Sequence, residues 1–157
     1  MGAVELVAVA DQPGQAAEDL RHEVAQHRGV GAQRALEAAV ELAGRDHAEL
    51  LGLAIEAHLP HYGATVGEVD EEREVEEQAC KALIAEATAV AEAHGVALHG
   101  LIRAGHPAQQ IVQAAAEAHA DLIVVGHRGH SGVWGRFLGS TAEKVSRHAE
   151  TSVLIVR

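Results

Sequence analysis

Apolar residues along this chain follow two patterns that take turns. The first is a short, nearly unbroken run: Leu6-Val7-Ala8-Val9-Ala10, then Leu50-Leu51-Gly52-Leu53-Ala54-Ile55, Val96-Ala97-Leu98, Leu122-Ile123-Val124-Val125 and Val153-Leu154-Ile155-Val156. Runs of this length without polar alternation read as strands covered on both faces. The second pattern spaces apolar residues by three and four, as one face of a helix does. It places Ala32, Ala35, Leu36, Ala39 and Val40 on a helix ending at Gly44, and Val75, Ala79, Leu83, Ala87 and Val90 on a long helix from Asp70 to about His94-Gly95. Ile111, Val112, Ala115 and Ala118 follow Pro107, a residue suited to a first helical position. The last helix runs from Ser140 to His148.

The predicted strands are therefore 5–10, 49–55, 96–102, 121–125 and 151–156. Asp11-Gln12-Pro13-Gly14 stops the first of them, and Gln15 to His27 reads as a short, half-exposed helix on Leu20 and Val24. Strands alternating with helices imply right-handed crossovers and a parallel sheet. The expected fold is a single α/β domain over 1–157: a doubly wound, five-stranded parallel sheet in the order 3-2-1-4-5 with helices on both faces.

Composition sharpens this picture in three ways. The chain is 48% hydrophobic but 2% aromatic, so its core must be aliphatic. A single cysteine, Cys80, excludes a disulfide framework, no apolar run approaches the ~20 residues that span a bilayer, and the N-terminus shows no secretory pattern. A cytoplasmic protein that does not engage membrane is expected. A net charge of −11 argues against nucleic acid as a partner. Against that acidic background, Arg128, Arg136, Lys144 and Arg147 face only Glu143 between His127 and Arg147, a balance that suits a small anion.

That basic stretch coincides with the candidate chemistry. The strand at Val124-Val125 stops at Gly126, glycines recur at 129, 132 and 135, and Gly139-Ser140-Thr141 opens a helix. Strand, glycine loop and helix N-terminus form an arrangement that holds phosphate on backbone N–H groups. Ser140-Thr141-Ala142-Glu143 also fits a capping box. In the expected topology, ligands sit beyond the carboxyl ends of strands one and four, where Asp11 and Gly126 begin their loops. No nucleophile beside a general base can be argued from spacing, so an enzyme is not expected. The twelve histidines include His58-x2-His61 and His127-x2-His130, but a zinc site wants three or four ligands, and no metal site is expected.

On Leu6 to Asp11, the helix Ala32–Ala43, and Asp121 to Arg157 with its Gly126-x2-Gly129-x9-Gly139-Ser140 motif, the chain resembles the universal stress proteins, specifically their nucleotide-binding branch. The resemblance implies a Rossmann-like fold of the adenine-nucleotide alpha-hydrolase type. It implies ATP or another adenine nucleotide as ligand, with magnesium accompanying it, and a stress-response regulatory role through conformation or partner choice. It also implies a homodimer through the C-terminal strand Val153–Val156. The residues it maps to the nucleotide are Val9, Ala10, Asp11 and Ala54 on the first two strands, Val125, Gly126, Arg128 and Gly129 in the first loop, and Gly139, Ser140 and Thr141 in the second. Two departures stand out: Ala142 where members often carry a hydroxyl, and an insertion at about 12–28, expected as a small helical flap or partner surface. The alternative reading is a nucleotide-free dimeric interaction module of the same fold. A third, an adenylating enzyme, lacks the Ser-Gly-Gly-x-Asp-Ser loop after the first strand.

Overall fold

The computed structural model describes residues 5–10, 24–25, 30–56, 66–127 and 138–157. Strand β3 (Leu50–Glu56) is its centre of burial. Leu50 and Ala54 point into a cluster with helix α1 (Val30–Asp46) and helix α2 (Val66–Ala93), whereas Leu53 and Ile55 point into a second cluster on the other face. That second cluster is closed by helix α3 (Pro107–Glu117) and helix α4 (Ser140–His148) through Ile111, Ala115, Ala142 and Val145. Helices thus cover both faces, as the unbroken apolar strands require. The buried apolar side chains are those of Ala, Val, Leu, Ile and Cys80, in keeping with the near-absence of aromatic residues.

Strand β4 (Leu98–Ala104) pairs parallel to β3, opposite Leu101 at Leu53. It begins two residues later than the periodicity predicts, because Val96 is used to finish α2. Strand β5 (Leu122–Gly126) and strand β6 (Ser152–Val156) also pair in parallel, with Val124 opposite Leu154. No helix among the described residues is long and apolar enough to cross a membrane.

The sheet departs from the expected five parallel strands. Among the described residues it has six, and strand β1 (Glu5–Ala10) is antiparallel to both of its neighbours, β3 and β5. Glu5 lies opposite Ile55, and Ala10 lies opposite both Leu50 and Leu122. The sixth strand, β2 (Val24–Ala25), pairs parallel to β5, with Val24 opposite Val124 and Ala25 opposite Val125. It replaces the end of the helix expected over Gln15 to His27; the rest of that helix and of the 12–28 insertion lies outside the described residues. The physical reason is that an apolar run specifies burial, not direction. Val7-Ala8-Val9 reads the same both ways, and parallel and antiparallel ladders both satisfy its backbone groups.

Three helices close in one way. After α1, α2 and α3 the chain passes through a left-handed residue, His47 (φ 55), Gly95 (φ 71) and His119 (φ 52). The following N–H then reaches back five residues: Ala48 to the Ala43 carbonyl (2.9 Å), Val96 to Ala91 (3.0 Å) and Ala120 to Ala115 (3.0 Å). This is the Schellman closure, and the small apolar residue after the turn enters the core in each case. Helix α1 accordingly runs through Gly44, the predicted terminator, and ends two residues further on at Asp46.

Candidate functional site

At the carboxyl end of β5, backbone hydrogen bonds gather three chain segments. The His127 N–H donates to the Val156 carbonyl at 2.6 Å, and the Gly139 N–H donates to the His127 carbonyl at 3.0 Å. The ends of β5 and β6 are thereby joined to the start of α4. Val124 and Val125 are buried on opposite faces, so what β5 offers here is backbone, ending at the half-buried Gly126.

The helix start differs from the expected capping box. Gly139 is the N-cap, extended at φ −60 and ψ 147, and its carbonyl accepts the Glu143 N–H at 2.9 Å. No side chain caps the helix. Ser140 is already the first helical residue, and the Glu143 carboxylate turns along the helix to Arg147 at 2.8 Å instead of back to the cap. A guanidinium one turn away gives that carboxylate a charged partner, which a single amide does not match.

The outcome favours an anion. The exposed Ser140 hydroxyl has no hydrogen-bond partner among the described residues. The first-turn N–H groups of Ser140 and Ala142 have no helical carbonyl to reach, and they point out of the positive end of the helix dipole. Ala142, where a hydroxyl was expected to be missed, is 2% exposed and packs into the α3–α4 cluster. A hydroxyl there would be spent on the core.

Of the residues singled out in the sequence, the structure brings together Val125, Gly126, Gly139, Ser140 and Thr141. Asp11, Arg128 and Gly129 lie outside the described residues. The first-strand half of the expected crevice is not built as predicted. With β1 antiparallel, Ala10 sits beside Leu50 and Leu122, at the opposite end of β5 from Gly126, and Val9 pairs in mid-strand with Leu51 and Ile123. The strand that ends level with Val125 is β2. Ala54 is fully buried in the α1–α2 cluster. The expected convergence of cations is also weaker than the sequence implies: Arg147 is paired with Glu143, and Lys144 lines a groove against α3. Among the described residues no group of three or more His, Cys, Asp and Glu side chains could hold a metal ion. The role of Val156 was not legible beforehand, because a backbone carbonyl carries no residue signature.

Comparison with known proteins adds the following. Residues 24–157 match the universal stress protein family, a match that begins at the first residue of β2 and leaves β1 outside it. The universal stress protein YxiE of Bacillus subtilis is 39% identical over 133 residues, spanning 79% of this chain and 89% of that protein. Shorter alignments reach MJ0531 of Methanocaldococcus jannaschii and a universal stress protein of Thermus aquaticus, of whose lengths the chain spans 40% and 42%. Among solved structures, UspA from Lactobacillus plantarum superposes with a TM-score of 0.74 at 27% identity, covering 83% of this chain and 92% of that one. A universal stress protein in complex with cAMP superposes with a TM-score of 0.60 at 31% identity, covering 82% of this chain and 90% of that one.

Proposed function

The chain belongs to the universal stress protein family, and from that premise we propose that it is an adenine-nucleotide-binding regulatory protein. One observation carries the reading. The His127–Gly139 bond sets a glycine strand end beside a helix start whose Ser140 hydroxyl has no partner among the described residues and whose dipole presents its positive end. Phosphate is the ligand chemistry that uses both. Support for adenine comes from the relative solved with cAMP.

In this proposal the phosphates rest on Gly126, Gly139, Ser140 and Thr141, with Arg128 and Gly129 contributing from the intervening loop. ATP and AMP are both ligands of this class. Magnesium, where it accompanies a triphosphate, would be carried in on the phosphate oxygens. The chain acts through ligand-dependent conformation or partner choice as a homodimer, and turnover is not its main activity.

The experiment is mass spectrometry of the nucleotide that copurifies with the wild type, followed by calorimetric titration of AMP and ATP into wild type and Ser140→Ala. Because the Ser140 hydroxyl makes no bond in the protein, the substitution leaves the melting temperature in place. It weakens nucleotide binding by about tenfold, the loss of one hydrogen bond to a charged group. Equal affinities in the two proteins sink the assignment of the site, and absence of any nucleotide binding leaves the nucleotide-free interaction module.

A further inference from the structure

The α3–α4 face of the sheet is not fully closed. Between the two helices lies an open groove of about 880 Å³. Its floor is made by Ala115, Ala120 and Ile123, all buried, with Val112 and Ala116 on its α3 wall. Ala108, Ala115 and Ala116 on the α3 side leave space there that larger side chains would fill. None of its lining residues belongs to the Gly126–Ser140 site, so it stands or falls independently of the nucleotide reading.

The polar groups at its edge are specific. Lys144 and His148 lie one helical turn apart on the groove side of α4. Arg147 takes the Glu143 carboxylate, and Lys144 has no ion pair among the described residues. The His148 Nδ1 donates to the Lys144 carbonyl at 2.7 Å, so the anion-binding group at this edge is the Lys144 ammonium. One carboxylate, Glu150, lines the groove as well, and His106 and His119 stand on its α3 side. In a chain of net charge −11, this is a concavity without net fixed negative charge.

We propose that this groove binds an amphipathic carboxylate, its hydrocarbon body laid along the apolar floor and its carboxylate on the Lys144 ammonium. An apolar pocket with a few placed polar groups is the usual form of a small-molecule site. A peptide strand is a poorer occupant. The walls are helices whose backbone groups are already paired, and the Gln113 amide is engaged by Glu117 at 3.0 Å, so few partners remain for a peptide backbone.

The test is calorimetric titration of dodecanoate, below its micelle concentration, into the full chain, with dodecanol as the uncharged control. Dodecanoate binds saturably at one site and raises the melting temperature with concentration. Dodecanol binds about tenfold more weakly, Lys144→Gln reduces dodecanoate affinity by a similar factor, and the groove-filling Ala116→Leu abolishes binding. Ala116 is exposed, so the latter variant keeps the wild-type melting temperature, and both variants keep wild-type AMP affinity. Any one of three results overturns the proposal: no saturable binding, dodecanol as tight as dodecanoate, or full affinity in Ala116→Leu. Association only with anionic phospholipid vesicles, and not with free dodecanoate, overturns it too, by marking a membrane-facing surface.

Discussion

The backbone N–H of Gly139 donates to the carbonyl of His127 at 3.0 Å, and that bond is what places a helix start against the end of β5. Gly139 has φ −60, a value proline adopts without strain. Gly139→Pro therefore deletes one donor while preserving the local backbone. The lost hydrogen bond costs about 0.5–1.5 kcal/mol, partly offset by a stiffer unfolded chain. The melting temperature should move by no more than a few degrees, whereas AMP affinity should drop by about tenfold as the two halves of the phosphate site separate. A variant with unchanged affinity would show that the bond is structural only.

The helix ends yield a second prediction. His47 and His119 occupy left-handed conformations, which cost a side-chain-bearing residue about 1 kcal/mol that glycine does not incur. His47→Gly and His119→Gly should each stabilise the fold by up to about 0.5 kcal/mol, after the extra entropy glycine loses on folding. The reverse change, Gly95→Ala, should cost about 1 kcal/mol through backbone strain alone, since a Cβ there meets nothing within 4 Å. Urea midpoints measure all three, and a destabilised His47→Gly would mean that the imidazole itself holds the turn.

Much of this fold is written in apolar spacing, and its limits are visible in particular residues. Pro107 begins α3 as expected, and Gly95 closes α2 as expected, because proline and glycine act through their own backbone geometry. The end of α1 was misread because His47, not a glycine, takes the left-handed turn and lets the helix run past Gly44. The direction of β1 was not legible, since an apolar run carries no sense of direction. The glycine motif marks the place where the end of β5 meets the start of α4. It did not reveal that Gly139, rather than Ser140, is the cap, because the choice depends on Arg147 drawing Glu143 away.

Close packing between α2 and β4 provides a third test. A Cβ at Gly100 would stand 2.2 Å from the Ile84 Cγ2, a methyl on a β-branched and therefore stiff side chain. Gly100→Ala should destabilise by about 1–3 kcal/mol, the usual cost of overpacking. In the Ile84→Ala background the same substitution should cost far less, so a double-mutant cycle should return a coupling above about 0.5 kcal/mol. Additive effects would mean that β4 simply shifts.

Acid stability bears on α3. Glu117 receives a hydrogen bond from Arg103 of β4, which is the main cause holding its carboxyl below the ordinary value of 4.5, with desolvation opposing and the Gln113 amide adding to the effect. A carboxyl depressed in the folded state contributes stability above its unfolded value, and that contribution fades as pH falls through the folded one. Wild type should therefore exceed Glu117→Gln in urea midpoint at pH 7. The difference should shrink below about pH 4.5 and vanish in stronger acid. Because both side chains reach solvent, the margin should also narrow in high salt. A difference independent of pH would assign the effect to packing.

The last prediction concerns the sheet edge. Strand β6 pairs with β5 on one side, and among the described residues no strand pairs with the other. Leu154, opposite Val124 in the ladder, is 37% exposed, the described large apolar side chain most open to solvent. An unpaired edge with an outward apolar residue is a template for another strand, and a second copy of β6 satisfies it most simply. Leu154→Lys removes the apolar contact and sets like charges against each other across a two-fold interface. Sedimentation equilibrium should find wild type dimeric and the variant monomeric at the same micromolar concentration. Since Leu154 is exposed within the protomer, circular dichroism should be unchanged. A variant that remains dimeric with wild-type affinity would move the interface away from β6, and a monomeric wild type would remove it altogether.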